Sequence, residues 1–336
     1  MKLSLKLFLV ITLLLPAFTF AQLDASLTEL TVTLIPDAPR PNSKISFRLT
    51  DYSIDLSTSN VRWFMDGKEM ARGVGLTEFS TVTAGLGELS TVLVRVTTSD
   101  GLSLEKTTRI RPAEVDVVWE ADSAVPLFYK GKPLPSTKND VKFYAIPQFL
   151  QGGKRIDPAA LRYSWSLDFE NQPRASGIGK STFGTKIVDL IGNTELNLVV
   201  STQDGSMRAT THVQVSPASP LVLVYNLDPL MGTNLSKPLP GNLRLEDEEA
   251  TFYAADFFFP KSHKKSPGLS YIWSINGKSA VTSEESPNTL TVRSESGASG
   301  QSRITIFVRD PFDSFITAVA NFMVEFGSTG SFGSFQ

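Results

Sequence analysis

The sequence predicts an all-β chain: three tandem β-sandwich domains following an N-terminal signal peptide. Three observations carry that expectation. A strand centred on a tryptophan occurs three times. The blocks around it recur at constant offsets. Beyond residue 22 no long stretch keeps the 3.6-residue apolar period of a helix, and short apolar runs alternate with Gly, Pro, Asn, Asp and Ser.

The clearest copy of the strand is 269–278, Leu-Ser-Tyr-Ile-Trp-Ser-Ile-Asn-Gly-Lys. Leu269, Tyr271, Trp273 and Ile275 alternate with other residues, the period-2 pattern of a half-buried strand. Asn276-Gly277 then supplies a turn that tolerates positive φ. The second copy is 161–168 and the third 61–68, each ending in an Asp-bearing turn. Trp63, Trp165 and Trp273 hold equivalent places, on the same face as Tyr163 and Tyr271 in the two copies that have them. That placement makes these five residues core pins rather than sugar-stacking platforms.

The repeat is measurable. Gly73-Val-Gly75 and Gly177-Ile-Gly179 lie 104 residues apart, as do Phe79 and Phe183, Val92 and Leu196, and the two Asp-Gly pairs at 100 and 204. Gly131-Lys-Pro-Leu-Pro135 returns as Ser236-Lys-Pro-Leu-Pro240, and Trp165 returns as Trp273 at an offset of 108. Homologous copies are the reading.

Taken in order, residues 1–21 read as a secretory signal: Lys2 and Lys6, an apolar run broken by Pro16, and small residues before Gln22. The run is shorter than the roughly 20 residues a membrane-spanning helix needs. The mature chain is expected outside the cytoplasm, secreted, at the cell surface or in the periplasm. Domain one spans 22–112, domain two 113–217 and domain three 218–327, with a Gly/Ser/Phe tail at 328–336. Each domain is expected to open on a strand (30–35, 115–119, 221–225). An early core strand follows (44–49, 141–146, 250–257), then the tryptophan strand. A middle strand (79–82, 185–190, 289–293) leads to a closing hairpin (91–110, 195–215, 303–325). Short proline-bearing linkers at 111–112 and 216–217 predict a semi-rigid row of domains.

Composition narrows the function. The net charge of −2 makes no electrostatic case for nucleic acid. There is no cysteine, hence no thiol nucleophile, thiolate metal site or disulfide, and only two histidines. Ser176–Thr182 imitates a phosphate loop, but Arg174 stands where its first glycine belongs, and the first copy has the same Gly-x-Gly without the lysine. A structural turn is expected there. The acidic run 246–249 enters a strand, where alternate residues face opposite ways, and is read as a solvated strand entry. No cofactor and no metal are expected.

Two places are candidates for partner binding. Trp119 opens the second copy, where it either packs at a domain junction or is exposed. Phe257-Phe258-Phe259 cannot all face one core in a strand, and Lys261, Lys264 and Lys265 follow as a basic loop tip.

The strands around Trp63, Asp66 and Gly67, around Tyr163, Trp165 and Asp168, and around Tyr271, Trp273, Asn276 and Gly277 resemble the immunoglobulin-like and PKD-like β-sandwich repeats of bacterial surface proteins. The resemblance covers residues 23 to about 326. It implies a non-catalytic extracytoplasmic role in adhesion, spacing or assembly. The expected function is therefore a semi-rigid spacer that binds envelope or appendage proteins; the alternative is carbohydrate binding through exposed aromatics.

Overall fold

A computed structural model describes residues 30–186, 192–245, 248–261, 268–294 and 299–326. Among them there is no α-helix; strands account for every element except one 3-10 turn at Pro158–Ala160. The chain is all-β with immunoglobulin-like sandwiches. The expected signal segment 1–21, the expected tail 328–336, Glu246, Asp247, Lys264 and Lys265 lie outside the described residues.

The strands form three facing sheet pairs. In the first, one sheet takes Thr31–Ile35, Lys44–Thr50 and Glu78–Val82, and the other runs Lys68–Val74, Asn60–Met65, Ser90–Thr97, Ser103–Ile110. Phe47 and Phe79 from one sheet meet Trp63 from the other, ring centroids 5.6 to 6.2 Å apart. In the second pair, Glu114–Ala121, Asp140–Gln148 and Thr182–Lys186 face a sheet built on Arg162–Leu167, Thr194–Ser201 and Arg208–Val215. Val115, Phe143 and Phe183 close there on Tyr163, Trp165 and Leu198. In the third, Leu221–Asp228, Glu249–Phe257 and Thr289–Arg293 face Ser270–Ile275, Gly300–Arg309 and Thr317–Phe326, with Val224, Phe252 and Leu290 against Trp273, Ile306 and Phe322. Alternation dictates this: each strand sends every second side chain inward, and burial of those apolar groups drives the sheets together.

By contact density the described residues fall into two compact units. One holds 30–34, 46–80 and 91–108; the other holds 35–45, 81–90 and everything from Arg109 onward. The second and third sheet pairs thus share a unit.

Two devices recur in all three pairs and explain the repeat at atomic level. Each tryptophan indole N–H donates to a backbone carbonyl in the loop that follows: Trp63 to Leu76 at 3.0 Å, Trp165 to Lys180 at 2.8 Å, Trp273 to Pro287 at 3.1 Å. A buried indole needs that partner. The residue after each tryptophan strand adopts positive φ: 49° at Asp66, 47° at Asp168, 50° at Asn276. Its side-chain oxygen then accepts the backbone N–H of Thr91, Glu195 or Arg303 at 2.7, 2.7 and 2.9 Å. Its own N–H donates back to the same residue's carbonyl. Asp and Asn tolerate this conformation and supply the acceptor.

The Gly-x-Gly turns serve the first device. Gly75 and Gly179 hold φ of +69° and +70° and donate to Ser59 and Leu161 at 2.9 Å. A Cβ would come within 3.0 Å of the Ser57 oxygen or 3.1 Å of the Ala159 oxygen. In the second pair the carbonyl of Lys180 is spent on Trp165, so this segment is a tryptophan-holding turn.

Two expectations shift. The middle strand expected at 185–190 forms at Thr182–Lys186 instead, and 187–191 fall outside the described residues. The last strand, expected from Ser314, starts at Thr317, because Asp310 and Asp313 each accept the N–H two residues on, Phe312 and Phe315, and so lengthen the turn.

Candidate partner-binding surfaces

The phenylalanine run resolves by a backbone device. Glu249–Phe257 ends at Phe257, Phe258 adopts a φ of +64°, and the chain turns so that Phe259 reaches the core of the third sheet pair. Phe257 and Phe259 are buried and Phe258 is half-buried. What covers Phe257 and Phe258 is the chain itself. Phe128 and Tyr129, in the loop after the strand Glu114–Ala121, pack edge-on against Tyr225, Phe257 and Phe258, with centroids 5.6 to 6.2 Å apart. These four contacts are near 80° between planes, the edge-to-face arrangement aromatic quadrupoles favour.

Backbone pairing reinforces this joint between the second and third sheet pairs. Ala124 donates to Phe259 and accepts from Phe258, both at 2.7 Å, and Lys261 donates to Asp122 at 3.1 Å. Ser123 bridges to Pro260 in antiparallel fashion. Ala218, just past the linker proline, donates to Pro135 at 2.7 Å. Lys138 pairs with Asp313, and that contact with the Phe315 amide draws the Asp313 carboxyl below its ordinary pKa. The loop is itself braced: the Ser136 amide and hydroxyl both donate to Asn139, whose amide donates to the Asp122 carbonyl at 2.7 Å.

Trp119 is half-buried at the margin of the second core. The Lys132 ammonium lies 3.1 Å from its ring centroid, and that burial lowers the Lys132 pKa. Lys132 thus covers one face of the ring. Trp119 and the phenylalanines make no direct ring contact; Lys132, over Trp119, and Tyr129, whose hydroxyl donates to the Lys132 carbonyl at 3.4 Å, stand between them. Lys261 is exposed. Trp63, Trp165, Trp273 and Tyr163 are fully buried. Tyr271 is half-buried and donates to Asp256 at 2.7 Å; burial, then the Asp256 charge, pushes its pKa up.

Residues the sequence reading passed over include Phe128 and Tyr129; their signal was an aromatic pair one residue before the repeated Gly131–Pro135 block. A second set lies on the outer face of the first sheet pair, where Arg72, Arg62 and Arg95 stand directly opposite one another on three adjacent strands. Glu69 takes both Arg62 and Arg72, which lowers its pKa, and Arg95 pairs with Glu105. The guanidiniums of Arg62 and Arg95 lie 5.2 and 5.5 Å from the centroid of the Phe64 ring. Among the described residues no three His, Asp or Glu side chains converge as a metal site, and no helix is long and apolar enough to cross a membrane.

No protein-family model and no curated protein matches the chain. Solved structures similar to it include the three N-terminal domains of the bacteriophage RB49 highly immunogenic outer capsid protein, at 13% identity over 90% of this chain and 100% of that one, TM-score 0.27. The central fibronectin-III array of RIM-binding protein is similar at 12% identity over 90% and 97%, TM-score 0.31. The fibronectin(III)-like modules of Clostridium thermocellum CbhA align at 14% over 56% and 95%, TM-score 0.28. The fold assignment rests on the strand order and cores described above.

Proposed function

We propose that the chain is a non-catalytic extracytoplasmic spacer of three sandwich domains, 22–112, 113–217 and 218–327, that binds protein partners of the envelope or of an appendage. One observation carries the reading. Two residues of the chain's most prominent aromatic run, Phe257 and Phe258, fix one sandwich to the next, with Phe128, Tyr129 and four backbone hydrogen bonds across the joint. A linkage that invests apolar burial in orientation is what a spacer requires; a flexible tether needs none. Partner contact falls to surfaces outside the joint. These include the tip Leu230-Met231, 96% and 89% exposed and held by Asp228 as it accepts both amides, and Phe315 on the turn beside the joint.

Crosslinking of intact producing cells with a non-permeant reagent tests this. The expected result is one defined envelope or appendage protein joined to the chain. Free chain in the medium with no crosslinked protein would contradict the reading and bring glycan binding forward.

A further inference from the structure

We propose that the strand Lys68–Val74 of the first sheet pair is a docking edge for a partner β-strand whose outer face carries an acidic residue with an apolar residue two positions away. This rests on the partner-binding reading and names one of its surfaces.

Three observations lead there. First, the edge is long and open. Lys68–Val74 pairs with Asn60–Met65 on one side, and no described strand pairs with the other. In the second pair the same edge is interrupted, with two-residue pieces at Glu170–Asn171 and Gly177–Ile178, and in the third it is the two residues Lys278–Ser279. An open edge offers unpaired N–H and C=O groups to an incoming strand.

Second, the edge begins a row of like charge. Arg72 faces Arg62, which faces Arg95. Like charges directly opposite one another destabilise a sheet. The two carboxylates Glu69 and Glu105 serve three guanidiniums, and Arg72, 3.6 Å from Glu69, is the outermost, its side chain 74% exposed. An added strand would set one residue beyond Arg72 at the usual strand spacing of about 4.8 Å. A carboxylate there gives the row its third acid.

Third, the same outer face presents Val74, two residues on and 69% exposed. A strand with an acid opposite Arg72 meets Val74 with its next outward residue, so acid and apolar groups on one face fit both. Lys and a bulge near Met70 are also devices by which an edge repels strands. The two roles separate cleanly: a guarded edge rejects every strand, whereas a docking edge discriminates by sign.

The probes are the peptide acetyl-Thr-Val-Thr-Glu-Thr-Val-Thr amide, whose Glu and Val share one face, and its counterpart with lysine for glutamate, each titrated into the chain and followed by amide NMR shifts. The glutamate peptide is expected to shift residues 68–74 and to bind at least about fivefold tighter than the lysine peptide. Arg72→Glu, on a side chain that makes no core contact, should reverse that preference, and an unchanged melting temperature reports its folding. Equal affinity, no binding of either peptide, or a preference that survives Arg72→Glu would overturn the edge assignment. A captured cellular partner alongside failed peptides would sink only this edge. Peptide binding without any cellular partner would sink the spacer reading and leave the edge standing.

Discussion

The first and second sheet pairs are alike up to the residue after the tryptophan strand and differ immediately beyond it. Trp63 and Trp165 each donate to a loop carbonyl, and Asp66 and Asp168 each take positive φ and clasp the strand behind. Then the first pair continues into the seven-residue strand Lys68–Val74, while the second breaks the same edge into two short pieces, Glu170–Asn171 and Gly177–Ile178. What is shared is what the core needs: a buried indole requires its acceptor, and a reversing chain requires its clasp. What differs lies on the solvent side, where packing imposes nothing and partner contact can.

The largest test of the shared part is Trp165→Ala. The indole is fully buried, so its loss should cost about 3–5 kcal/mol in chemical denaturation. Trp63→Ala should cost a similar amount; a difference beyond about 2 kcal/mol would break the equivalence. Phe257→Ala comes next. It removes a buried ring that Phe128 and Tyr129 pack on, and about 3 kcal/mol is expected, with increased amide exchange at 122–129 rather than in the core strands. Asp168→Ala should cost about 1 kcal/mol, since it removes one exposed hydrogen bond and leaves an alanine at positive φ; Asp168→Asn should recover most of that, because the third pair already uses Asn276 there.

The smallest effect concerns pH. Hydrogen bonds from Thr202, then from Ser206, hold the Asp204 carboxyl down to about 2. A carboxyl whose folded pKa is depressed contributes stability above its unfolded value, near 4, and loses it as pH falls toward 2. The group is solvent-exposed, so the contribution is modest. Melting curves of Asp204→Asn and the parent should differ slightly at pH 5 and converge near pH 2; a gap that widens with acid would contradict the assignment.

Much of the fold was legible because core strands have a strict period. The tryptophan strands, the Gly-x-Gly turns and the Asp-Gly hairpins all show in the residue pattern. The short strand Asn242–Arg244, which runs parallel to Met323–Glu325, did not, since three residues carry no period. The candidate site was only partly legible. Three successive phenylalanines correctly signalled a break in strand geometry, but the sequence could not show that Phe258 takes a φ of +64° or that Phe128 and Tyr129 arrive from some 130 residues earlier to cover its neighbours. Exposure depends on the partner face, and that face is remote in sequence. The arginine row was hidden for the same reason: Arg62, Arg72 and Arg95 align only once register is known.

The central claim is that the joint holds the second and third sheet pairs in one orientation. The chain has no cysteine, so spin labels can be placed at will. With labels at Val118 and Val319, both exposed strand positions on either side of the joint, pulsed electron–electron distance measurement reads that orientation directly. The account predicts a single narrow distance distribution that broadens in Phe257→Ala. A broad distribution in the parent chain, unchanged by that substitution, would contradict it.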